Sequence, residues 1–272
     1  MNNLTQHIRI TTLGLALLIF CTNSFAQSNF KNLVWQDEFN YQGLPDSTKW
    51  GYDKGNGCPE NCGWGNNELQ YYTWNRLENS RVEDGKLTIE TRKEDFAGAP
   101  YTSARLATKN KGDWQYGRLD IKAKLPAGRG LWPAVWMLPT NQAYGGWPHS
   151  GEIDIMENVG YWSDSALSTV HTGLYNGVNG KQKTEGVNRK DLSTAFHVYS
   201  IEWTADSIVF FIDNLKFHQY ANNHTTPEAW PFDKPFHLLV NIAVGGNWGG
   251  KFGVDDTIFP QKMEIDYVRV YQ

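Results

Sequence analysis

From residue 86 to residue 271 the sequence repeatedly alternates apolar and polar positions with a period of two. Lys86-Leu87-Thr88-Ile89-Glu90 has this form, as do residues 116–125 and 196–203. Successive side chains of a strand point to opposite faces, so these runs predict strands with one buried side. Residues 207–213, 236–244 and 263–271 add runs of β-branched and aromatic residues, which fit a pleated, half-buried surface. Glu83-Asp84-Gly85, Pro126-Ala127-Gly128, Asp213-Asn214 and Gly245-Gly246-Asn247 separate the runs as turns. After the N-terminal segment no helical period is sustained beyond one turn at residues 227–230. Many short strands joined by turns predict an all-β sandwich or barrel. A sandwich has a face that can curve into a cleft.

The N-terminal segment is different. Residues 11–20 are one apolar run behind Arg9, and ten residues cannot span about 30 Å of hydrocarbon, which takes about 20 in a helix. Ser24-Phe25-Ala26 puts small residues at both recognition positions of a signal-peptidase site. The expectation is an export signal over residues 1–26, cleaved after Ala26, and one domain over residues 27–272 in the periplasm or outside the cell. No membrane span is expected. Cys21 leaves with the signal. Cys58 and Cys62 then suit a small-loop disulfide in an oxidising compartment, with two free thiols as the alternative.

Composition narrows the chemistry. The chain of 272 residues has a net charge of -4, so no basic surface invites nucleic acid. It is rich in flat side chains, with 12 Trp, 13 Tyr and 13 Phe. Gly245 to Lys251 nearly spells a phosphate loop, but Phe252 stands where the magnesium-holding Ser/Thr belongs. There is neither a Gly-x-Ser-x-Gly elbow nor a His-Glu-x-x-His helix.

The most informative stretch is Glu152-Ile153-Asp154-Ile155-Met156-Glu157. On a strand Glu152 and Asp154 share a face while Ile153 and Ile155 enter the core. Strict alternation would bury Glu157 with the isoleucines at high cost, so a β-bulge near Met156 is expected to return it to the polar face. Two such carboxyls suit glycoside hydrolysis, with retention at a separation of about 5–5.5 Å or inversion at about 6.5–9.5 Å.

These residues resemble the active-site signature of glycoside hydrolase family 16 in its bulged form. Residues 116–118 and 130–138, Gly65-Asn66-Asn67-Glu68-Leu69-Gln70-Tyr71-Tyr72, residues 244–250 and the terminal 266–271 resemble the laminarinase branch of that family. The resemblance implies a β-jelly-roll sandwich of two curved antiparallel sheets with a β-1,3-glucan in the concave cleft. It also implies double displacement, with Glu152 as nucleophile, Glu157 as acid/base and Asp154 assisting. The enzymatic rival is a galactanase of the same family. The rival from another class is a glucan-binding protein on the same fold, and retention of both Glu152 and Glu157 argues against it.

Trp132 and Trp136, four apart on a strand-like run, share a face and suit sugar stacking, with core packing as the alternative. Trp248, in a Gly-rich loop, is a better platform; Trp147 and Trp64 are weaker ones. Asn56 and Arg105 stand where relatives bind sugar hydroxyls or a catalytic carboxylate. His171 is expected on the next strand beside the carboxylates, supporting their protonation, whereas His149 is a poorer candidate. No cofactor is expected for catalysis. The resemblance implies a structural calcium at Glu38, Gly85 and Asp266, and the protein is expected to act as a monomer.

Overall fold

The computed structural model describes residues 30–272. The export segment and its cleavage point therefore lie outside the described residues. In chain order the first strands are β1 (Leu33–Asp37), β2 (Gly51–Asp53), β3 (Gln70–Tyr72), β4 (Ser80–Glu83), β5 (Lys86–Phe96) and β6 (Ala99–Ser103). Next come β7 (Arg105–Ala107), β8 (Asp113–Trp114), β9 (Gly117–Lys124), β10 (Leu131–Pro139), β11 (Glu152–Glu157) and β12 (Ser165–His171). The chain closes with β13 (Lys183–Asn188), β14 (His197–Trp203), β15 (Ser207–Ile212), β16 (Leu215–Ala221), β17 (Phe236–Val244) and β18 (Gln261–Tyr271).

They form two sheets. One runs β16-β15-β14-β9-β18-β5-β6-β3, with β1 on β18 and β4 on β5. The other runs β13-β12-β11-β10-β17-β7-β2, with β8 on β17. Pairing is antiparallel except between β3 and β6, a short parallel contact that alternation alone does not announce. Residues 227–230 make a turn closed by the Trp230 N–H on the Thr226 carbonyl, not a helix.

Local chemistry explains the connections. The β4–β5 and β15–β16 hairpins turn on Asp84-Gly85 and Asp213-Asn214, all four residues at positive φ. Such two-residue turns match the right-handed twist of the strands they join. Strand β9 alternates without a fault: Leu119, Ile121 and Ala123 are buried while Arg118, Asp120, Lys122 and Lys124 face outward. The outward set pairs across the sheet, Arg118 with Glu202 (2.9 Å), Lys122 with Asp266 (2.6 Å) and Lys124 with Glu264 (2.5 Å).

The core lies between the sheets. Tyr199, Ile201 and Trp203 of β14 and Met263, Ile265 and Val268 of β18 meet Val135 and Met137 of β10 and Ile153 and Ile155 of β11. Each such side chain, fully buried, contributes about 1.5–3 kcal/mol. Strand β17 is buried on both faces. Phe236, Leu238, Val240, Ile242 and Val244 enter this core, whereas His237, Leu239, Asn241 and Ala243 lie under the opposite, concave face. Candidate chemistry sits on that concave face.

Candidate active site

Gly151, at φ +86, swings the chain into β11; a Cβ there would stand 2.8 Å from Phe232 and from Pro231. Strand β11 then carries the acids. Its pairing with β12 runs Glu152↔His171, Ile153↔Val170 and Asp154↔Thr169, then shifts to Glu157↔Leu167. Its pairing with β10 slips at the same place, Val135↔Met156 being followed by Trp136↔Asp154. This is the expected bulge. Ile155 and Met156 both turn inward, 1% and 0% exposed, and Glu157 returns to the face of Glu152 and Asp154.

Register places the neighbours. Directly opposite residues of an antiparallel pair share a face, so one row across the sheet reads Glu157, Ala134, Asn241, Arg105, Asp53. The adjacent row reads Thr169, Asp154, Trp136, Leu239, Ala107. The floor thus passes from carboxylates through tryptophan to arginine.

Each carboxyl has its own holder. Glu157 accepts from the Trp132 indole (3.0 Å) and from the Thr169 hydroxyl (3.3 Å). Glu152 accepts from the Trp147 indole (2.7 Å). His171 Nε2 lies 3.3 Å from Asp154 and 3.8 Å from Glu152. The Gly177 N–H donates to His171 Nδ1 (3.2 Å), so in the neutral ring Nε2, the nitrogen on the side of the two acids, carries the proton. Glu152, Asp154 and His171 present donor atoms within 4.8 Å of one another, as a cation site would. With Nε2 protonated, His171 offers no lone pair to a metal.

Burial dominates the protonation of the trio. It pushes Glu152 and Asp154 well above the usual carboxylate range; the charge of Asp154 adds to the rise at Glu152, that of Glu157 to the rise at Asp154. Burial also raises Glu157, opposed by His171, Trp132 and Thr169. Three adjacent carboxyls, screened from water, do not all ionise together, and the cluster holds protons into the pH range where acid catalysis needs them.

The remaining candidates divide. Trp136 donates to Asn241 (2.7 Å), Asn241 to the Tyr72 hydroxyl (3.1 Å), and both tryptophans of β10 are half-buried on the cleft floor. Trp248 meets Trp132 edge-on at 5.4 Å. Arg105 donates to Asp53 (2.8 Å) and lies 3.7 Å over the Trp64 ring and 5.6 Å from that of Trp136. Asn56 lies two residues before the loop closed by the Cys58–Cys62 disulfide and accepts from the Cys58 N–H (3.2 Å). His149 is exposed and bonds none of the acids.

Trp147, ranked low by sequence, holds Glu152 directly. The calcium set does not present an open seat: both oxygens of Glu38 accept from Arg269 (2.7 and 2.9 Å), Asp266 is paired with Lys122, and Gly85 lies in the β4–β5 turn. For either carboxylate to ligate a cation it would have to leave its basic partner. Thr169, Asn241 and Asp53 were not singled out from sequence; their signal is register, which a single strand does not carry.

Comparison with known proteins agrees with this geometry. Residues 66–269 match the model of glycosyl hydrolases family 16. The chain belongs to that family. It is 50% identical to a beta-glucanase of Rhodothermus marinus over 280 residues, covering 99% of this chain and 96% of that one. It is 41% identical to glucan endo-1,3-beta-glucosidase A1 of Niallia circulans, over 89% of this chain and 38% of that larger protein. The crystal structure of the laminarinase from Rhodothermus marinus superposes with a TM-score of 0.85 at 51% identity, over 89% of this chain and 97% of that one. Family 16 membership carries the jelly-roll architecture seen here. Among the described residues no helix is long and apolar enough to cross a membrane.

Proposed function

We propose that this family 16 enzyme cleaves internal β-1,3 linkages of laminarin-like glucans by double displacement, with retention. The observation that carries the reading is the bulged strand β11, which aims Glu152, Asp154 and Glu157 from one face between Trp147 and Trp132. Glu157 protonates the departing glycosidic oxygen while Glu152 attacks the anomeric carbon. Glu157, now ionised, takes a proton from the incoming water, which releases the sugar from Glu152. Asp154 and His171 adjust the charge beside Glu152 between the two steps. Arg105 and Asn56, with the faces of Trp132, Trp136 and Trp248, bind the glucan. The disulfide supports an exported protein, since such bonds persist in oxidising compartments.

The deciding experiment measures reducing ends released from laminarin, lichenan, agarose and carrageenan, with Glu152→Ala as the blank. Fast release from laminarin and little from the galactans is the expected result. Release from a galactan alone would keep the chemistry and discard the substrate.

Trp147 is the group that holds Glu152. Its indole N–H stabilises the ionised form of Glu152, against the upward push of burial. In Trp147→Phe that stabilisation is lost, so Glu152 holds its proton to higher pH. The acidic limb of the kcat/KM profile is expected to move up by about half a unit to one unit, since one unit corresponds to about 1.4 kcal/mol and Trp147 is part-exposed. A limb that stayed in place would show that Trp147 merely lines the cleft.

A further inference from the structure

Three residues beyond Glu157 the chain turns through Gly160–Trp162 and sets two aromatic side chains outside the catalytic cluster. The turn is held rigidly. Asn158, 1% exposed, donates its amide to the carbonyls of Trp162 (3.2 Å), Ser163 (3.4 Å) and Ser165 (2.8 Å). Gly160 packs so closely on Gly128 that a Cβ would stand 1.6 Å from the Gly128 carbonyl oxygen. Despite this anchoring, Trp162 is 49% exposed, and Phe252 of the neighbouring loop 57%.

These rings continue those of the active site. Trp132, the donor to Glu157, meets Trp248 edge-on. The Trp248 indole faces the Tyr161 hydroxyl, and Tyr161 meets Phe252 edge-on at 4.8 Å. An aromatic path thus leads from Glu157 to the surface. Beside it lies a depression of about 370 Å³ lined by Tyr161, Trp162, Ser163, Asp164, Asn188 and Lys190. A single exposed apolar side chain is ordinary, but fixed aromatics beside a polar depression mark a binding surface. Flat rings suit the C–H faces of a pyranose, and the hydroxyl, amide and charged groups around them suit its hydroxyls. One lysine balanced by one aspartate is not a phosphate-binding surface.

We propose that Trp162, with Tyr161 and Phe252, is a second carbohydrate platform, holding glucosyl residues of the polymer outside the cleft on the Glu157 side. The proposal rests on the glucanase reading and deepens it, since the platform acts only on chains long enough to reach it. The Trp162 ring lies outside the core, so Trp162→Ala folds.

In the active enzyme this substitution is expected to lower kcat/KM on laminarin at least about fivefold, an effect of the size one aromatic contact provides. Hydrolysis of laminaritriose stays within about twofold, because a ligand confined to the cleft does not reach the platform. Equal rates on the polymer, or an equal loss on both substrates, would overturn the proposal. Electrophoresis through a laminarin gel tests binding alone, comparing Glu152→Ala with Glu152→Ala/Trp162→Ala. The first protein is expected to be retarded more than the second; equal mobility counts against the platform. Absence of laminarin hydrolysis by the unaltered enzyme would sink the glucanase reading separately, and the gel comparison would still decide the platform.

Discussion

Alanine in place of Glu152 is expected to leave a folded protein whose kcat on laminarin falls by a factor on the order of 10³ or more, because the reaction loses its nucleophile. Glu157→Ala should fall comparably on laminarin, yet differ in a way that assigns the roles. Its first step needs an acid only when the leaving group is a poor one. An aryl laminaribioside with an acidic phenol therefore keeps much of its glycosylation rate in Glu157→Ala and little in Glu152→Ala. Added azide separates the pair again. In Glu152→Ala it occupies the space of the missing carboxylate and yields the product of inverted configuration; in Glu157→Ala it attacks the glycosyl-enzyme and yields the retained one. Neither loss reflects unfolding. Burial raises all three acids, and a neighbouring carboxylate adds to the rise at Glu152 and Asp154, so removing one relieves the folded state, and the melting temperature should hold or rise. Near-normal turnover by either variant would end the assignment.

Asp154→Asn should trade activity for stability. Asp154 is 3% exposed, beside Glu152 and His171, and burial followed by the charge of Glu157 raises its pKa well above the ordinary value. Its exchangeable proton and charge balance Glu152 as that residue passes from carboxylate to ester, and an amide supplies neither. The expected fall in kcat is roughly 10²-fold, the lower end of what a positioned acid or base contributes. The sign of the stability effect follows from linkage. A carboxyl with a raised folded pKa binds its proton more tightly when folded, so ionising it costs stability as pH climbs from the unfolded value through the folded one. Asp154→Asn removes that cost. Its gain in urea midpoint should be full at pH above the raised value and should vanish below about pH 4, where the unfolded aspartate is protonated as well. A loss of stability in alkaline solution would contradict the burial argument.

Much of this was legible in the chain. The alternation at Leu119, Ile121 and Ala123 named a strand and its buried face, and the same logic placed Glu152 and Asp154 together. The bulge followed from electrostatics alone, since Glu157 could not be left among isoleucines. Partners supplied by other segments were not legible. Trp147 reaches Glu152 because its loop is braced by Tyr144 on Asp233 and by Ser150 on the Gly145 carbonyl, contacts that no periodicity encodes. Strands of three residues, such as β2 and β7, are too short to show a period, so the Arg105–Asp53 pair they bring together was invisible. Arg269 and Lys122 likewise become neighbours of Glu38 and Asp266 only across the folded sheet.

Strand β17 serves two layers at once, its even-numbered residues filling the core on one side and its odd-numbered ones supporting the cleft floor on the other. A change there alters catalysis and folding together, and a core change of even one methylene is felt. Such a strand has little freedom to drift. Divergence toward other polysaccharides must then be written mainly in the loops around it, those that carry Trp147, Trp162 and Trp248, where a substitution alters what is gripped without touching what keeps the two sheets together. The enzyme separates a floor tied to its core from walls that are not.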